Sequence, residues 1–108
     1  MGGFVARGSI TIGNKERVAE AGFTAGGCHS LENAKRHVLR RLCNILRTHY
    51  EGREGFIYWP NLPKKLRNQW LDRVSETLHW VELNDGRGAY FHSISSREFV
   101  QTLQQAVA

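Results

Sequence analysis

Between residues 30 and 50 apolar side chains return every three or four positions, at Leu31, Ala34, Val38, Leu42, Ile45, Leu46 and His49. Only a long helix that is apolar along one side accommodates that stripe. Ser30 is placed to cap it, and Glu32 lies in the first turn, where the helix dipole favours an anion. Gly52, just past Tyr50 and Glu51, supplies a stop. Arg36, Arg40 and Arg47 project from the opposite side, so the helix reads as both a core element and a basic rod.

Around this helix the chain divides into shorter signals. Residues 56–59 form a compact aromatic and aliphatic strand between Gly55 and Pro60. A second helix is predicted over residues 62–78, with Asn61 as cap, Pro63 in its first turn, and Leu62, Leu66, Trp70, Val74 and Leu78 stepping by four. Next, residues 80–83 and 89–92 flank Asn84-Asp85-Gly86-Arg87-Gly88, and an Asp-Gly turn between two β-rich runs is a strong hairpin signal. A two-residue turn at Asp85-Gly86 would set His79 across from His92; a longer loop would shift that register. Ser95 and Glu98 form a capping box ahead of a last helix bearing Phe99, Leu103 and Val107.

The first 27 residues hold seven of the eleven glycines and are permissive in conformation. Residues 5–12 alternate in β fashion, with Ile10 and Ile12 on one face and Ser9 and Thr11 on the other, and Gly13-Asn14 offers a turn into residues 15–21. The pattern favours a short hairpin, the alternative being an arm that orders only on a partner. The expectation is therefore a single small α+β domain: a Gly-rich N-terminal arm or hairpin over residues 1–29, then a compact unit over residues 30–108.

A chain of 108 residues suits one core, since folding at this size hides roughly two-thirds of the unfolded chain's surface. No apolar run nears the ~18 residues of a membrane helix, and the first eight residues lack the basic-then-apolar pattern of a secretory signal. Cys28 and Cys43 are too few for a disulfide scaffold, which points to a reducing cytoplasmic setting with free thiols, although the sequence is compatible with one Cys28–Cys43 bridge.

Charge is unevenly spread. Residues 1–30 set Arg7, Lys15 and Arg17 against Glu16 and Glu20, and residues 79–108 set Arg87 and Arg97 against Glu82, Asp85 and Glu98. Both ends are near neutral, so the net charge of +5 lies in residues 31–78. There Lys35, Arg36, Arg40, Arg41, Arg47, Arg53, Lys64, Lys65, Arg67 and Arg73 outnumber Glu32, Glu51, Glu54, Asp72 and Glu76. Such an excess either solvates two amphipathic helices or attracts a polyanion. The second helix opens with Lys64, Lys65 and Arg67, which oppose its own dipole and hint at an external anion.

Catalytic and metal chemistry find little support. Cys28, Cys43 and the five histidines contain no CxxC, HxxxH or HExxH spacing, and His37 and Cys43, six apart on one helix, face different ways. Cys28-His29 after Gly26-Gly27 is the one candidate nucleophile, and an incidental loop cysteine is the stronger reading. The glycines form neither a P-loop nor GxGxxG, and no cofactor is expected. Trp59, Trp70, Trp80, Tyr90 and Phe91 suit a core better than a stacking surface.

The order helix, strand, helix, hairpin, helix from Ser30 onward, with Arg87 at the hairpin tip, resembles the layout of a winged-helix domain. The uninterrupted run between Lys64 and Leu78 departs from the two short helices usual there. The resemblance implies that the second helix enters a major groove while Arg87 touches the neighbouring backbone. The expected function is non-enzymatic nucleic-acid binding, to DNA rather than RNA, through Lys35, Arg36, Arg40, Lys64, Lys65, Arg67, Arg73 and Arg87. The alternative is a small inhibitor or adaptor that docks on an acidic protein surface.

Overall fold

The computed structural model describes residues 5–22, 30–50, 63–83 and 86–106. Val5–Ile12 (β1) and Lys15–Gly22 (β2) form the hairpin that the alternation predicts. Ile12 pairs with Lys15, so the turn is Gly13-Asn14, and Gly13 takes φ of 64°, a conformation open to glycine at no steric cost. After it come the helix Leu31–Tyr50 (α1), the helix Lys64–Thr77 (α2), the strands Val81–Leu83 (β3) and Gly88–Ser95 (β4), and the helix Ser96–Gln105 (α3).

The strands make one mixed sheet in the order β2-β1-β4-β3, in which β1 runs antiparallel to β2 and parallel to β4. The N-terminal hairpin is therefore half of the sheet. The β3–β4 hairpin, in turn, is no projecting wing, because β4 lies against β1 along most of its length. That pairing separates the architecture from the winged-helix layout, while the α+β class itself holds. Val81 pairs with Tyr90 and Leu83 with Gly88, a register centred on Asp85-Gly86, with Gly86 at φ 85°.

Side-chain alternation sends Ala6, Ile10 and Ile12 of β1, Ala19 and Ala21 of β2, and Ala89 and Phe91 of β4 into one core. α1 and α3 cover that face, and α2 packs against those two helices. α1 brings Leu31, Ala34, Val38, Leu42 and Leu46 of the expected stripe, together with Leu39 and Cys43, which the stripe omitted. Those two are buried because α1 packs on α2 as well as on the sheet, so its apolar arc is wider than one line of contact requires. His49, by contrast, is exposed in the last turn.

α2 begins at Lys64 with Pro63 in the capping position and no side-chain cap. Asn61, Leu62 and the expected strand at 56–59 lie outside the described residues. Trp70, Leu71 and Val74 face the core, whereas Leu66 is 46% exposed, so the buried line follows three- and four-residue steps rather than every fourth position. Both predicted serine caps form: Ser30 Oγ accepts from the Asn33 amide at 3.1 Å and Ser95 Oγ from the Glu98 amide at 3.1 Å. Trp70 Nε1 donates to the Leu103 carbonyl at 3.0 Å, pinning α2 to α3.

One glycine is required by packing alone. Gly8 and Phe91 are register partners on adjacent strands, and a Cβ at Gly8 would stand 2.1 Å from the Phe91 ring. Gly8→Ala is expected to cost about 1–3 kcal/mol in urea unfolding through overpacking. The cost should shrink in a Phe91→Leu background; an equal loss there would place the strain elsewhere.

Candidate nucleic-acid interface

Two side-chain bridges set the register between α1 and α2. Arg36 grips Asp72 through Nε to Oδ1 at 3.0 Å and Nη2 to Oδ2 at 2.9 Å, and Arg40 Nη2 donates to Asn68 Oδ1 at 3.1 Å. A step of four up α1 is matched by four down α2, so the helices run antiparallel. One further turn brings Asn44 level with Lys64, and Arg47 follows beyond the start of α2.

The antiparallel arrangement sorts the charge. At one end lie Arg40 and Arg47 of α1 with Lys64, Lys65 and Arg67 of α2, while Arg41 lines a groove with Arg7 and Glu20 of the first hairpin; α1 has no carboxylate after Glu32, and α2 none before Asp72. Arg41, Arg47, Lys64 and Lys65 are exposed and form no ion pair among the described residues. Arg67 is half-buried beside the two lysines. Arg40 keeps its Nε buried without a hydrogen-bond acceptor among the described residues. With no acidic residue in its first turn and no side-chain cap, the α2 N-terminus adds its partial positive charge to the same region.

His37 feels part of this charge. It sits half-buried on α1, and its pKa is held below the ordinary 6.5 by burial first, then by Arg41 and Arg40.

The eight basic residues expected to grip a partner separate into different roles. Lys64 and Lys65 are exposed at the basic end, and Arg40 and Arg67 lie half-buried there. Arg36 is committed to Asp72 and also donates to Asn33 Oδ1 at 3.0 Å, while Arg73 Nε donates to the Ala106 carbonyl at 3.0 Å and ties α2 to the end of α3. Lys35 points the other way and lies over the Trp80 ring. Arg87 is exposed in the β3–β4 turn, on the sheet rather than the helical layer. Arg47 joins the patch in their place, whereas Arg41 faces the β1–β2 hairpin. Arg47 was already legible on the Arg36 and Arg40 side of the first helix; the Arg36–Asp72 pair, 36 residues apart, left no local signal.

Burial pushes the Cys43 thiol far above its ordinary value, and it is free, so it is an inert core residue. Cys28 and His29 lie outside the described residues. Among the described residues no three His, Cys, Asp or Glu side chains come close enough to hold a metal ion. No described helix is long and apolar enough to cross a membrane. Comparison with models of known protein families, with curated proteins and with solved structures yields no match.

Two outcomes follow for stability. Arg36→Ala should cost about 1 kcal/mol, discounted because the Asp72 side chain is 44% exposed, and adding Asp72→Ala should cost little more; additive losses would show that the bridge is not coupled. Since folded His37 takes up a proton less readily than the unfolded chain, its contribution is complete above about pH 6.5 and lost as pH falls through the lowered folded value. Thermal melts of His37→Gln should then fall less steeply below that pH than those of the unaltered protein, and identical slopes would exclude His37 as the group responsible.

Proposed function

We propose that this chain is a non-enzymatic nucleic-acid-binding module that grips phosphates at the basic end of the α1–α2 pair. The observation that carries the reading is the group of five cations, Arg40, Arg47, Lys64, Lys65 and Arg67, uninterrupted by a carboxylate on either helix. Clustered cations repel one another, a cost that a bound polyanion relieves. Two antiparallel helices offer a ridge from which Lys and Arg can track a phosphate backbone, with Arg40 and Arg67 half-buried and Lys64 and Lys65 exposed at the rim. Such contacts position a nucleic acid and carry no base sequence by themselves. Duplex DNA is the favoured form, with the exposed side of α2 toward the groove.

A second reading, docking on a protein, draws support from the sheet face opposite the core, exposed as far as the described residues go. Val5, Val18 and Leu83 are 51%, 43% and 41% exposed there, beside an Arg7–Glu20 ion pair of 2.7 Å that leaves the surface near neutral. Apolar exposure of this kind suits a protein partner better than a phosphate backbone.

Salt dependence separates the two. Affinity for random-sequence duplex should fall linearly with the logarithm of salt concentration, and Lys64→Ala with Lys65→Ala should flatten the slope by about 2 while leaving the melting temperature within a few degrees. Binding that is insensitive to salt, or unaltered in the double variant, would favour the protein-docking reading.

A further inference from the structure

At the opposite end of the α1–α2 pair an open cleft of about 570 Å³ has Glu32, Lys35, Arg36, Asp72, Glu76 and Trp80 among its lining residues. Three carboxylates and two cations line it, so its charge is mixed with a small acidic excess. Asp72 is neutralised by Arg36, which leaves Glu32 and Glu76 as exposed carboxylates with no ion pair among the described residues.

Trp80 is a fixed platform within the cleft. Its Nε1 donates to the Ser75 carbonyl at 2.9 Å, and its ring meets Phe91 edge-on, with centroids 4.8 Å apart at 87°. Lys35 already occupies the ring with its ammonium 5.2 Å from the centroid. That contact shows which kind of group this face accepts: a cation, attracted by the ring quadrupole.

We propose that the cleft is a binding site for a cationic side chain of a partner polypeptide, arginine above all, and that Lys35 is an internal occupant displaced on binding. Arginine fits because its planar guanidinium stacks on an indole and presents a fork of donors to the flanking Glu32 and Glu76. Anions are disfavoured by the same two carboxylates. Lys35 yields readily, since a cation–π contact at an exposed site shifts an equilibrium by only about two- to fivefold. The site stands apart from the phosphate-gripping end and does not depend on it.

The test is titration of the full ¹⁵N-labelled chain with acetyl-Gly-Arg-Gly-amide, with acetyl-Gly-citrulline-Gly-amide as the neutral control, followed by the three tryptophan indole N–H signals. Trp80→Phe assigns its own signal, and the dispersion of the remaining signals reports whether each variant is folded. The arginine peptide should shift the Trp80 indole saturably and the citrulline peptide should not. Lys35→Gln should tighten binding about two- to fivefold, and Glu32→Gln with Glu76→Gln should weaken it fivefold or more. Absence of a saturable Trp80 shift in both the unaltered protein and Lys35→Gln overturns the proposal, as does an equal response to citrulline or a response centred on Arg40 and Lys64.

Discussion

The parallel ladder between β1 and β4 is the contact on which the remaining architecture depends. It joins the first strand to the last, and it makes β1 an interior strand with β2 on its other side. Gly8 makes room for Phe91, and beyond that point β4 carries one extra residue, so that His92 and Ser93 oppose Ser9 before the register resumes at Ile10 and Ile94. Thr11 and Ser93 share a hydroxyl hydrogen bond of 2.6 Å just past the bulge. Without this ladder the two hairpins would each have to cover an apolar face alone, which a two-stranded ribbon cannot do in water.

Sheet closure on one side leaves the helical layer to take up the charge. α1 and α2 bury their apolar arcs and meet along a polar seam of Arg36–Asp72 and Arg40–Asn68. Because the seam is antiparallel, the cations late in α1 meet those early in α2, and Glu32 meets the acidic second half of α2. The result is a helical pair with a basic end and an acidic, tryptophan-bearing end. The same seam consumes Arg36 and fixes Arg40, so part of the sequence's positive charge is structural mortar, and only the remainder is presented outward.

Several features were legible in the sequence because their causes are local. Both serine caps, the Gly13-Asn14 turn, the pairing of both hairpins, the long amphipathic helix and the alternation of β1 depend on residues within a few positions of one another. The concentration of charge in residues 31–78 is likewise a property of the sequence. The widening of α1's buried arc to Leu39 and Cys43, and the exposure of Leu66 and His49, are not, since burial depends on what packs opposite.

By itself, then, the sequence determined an α+β chain with a one-sided long helix, two tight hairpins and a basic middle. Tertiary structure decided that β1 pairs with β4, which makes the N-terminal hairpin integral to the domain instead of an arm. It also decided which cations face outward, because Asp72, Asn68 and the Ala106 carbonyl reach Arg36, Arg40 and Arg73 only once helices distant in sequence are packed together. Periodicity records how a residue relates to its near neighbours along one element; hydrogen-bond partners and charge neighbours across elements exist only after the chain has folded.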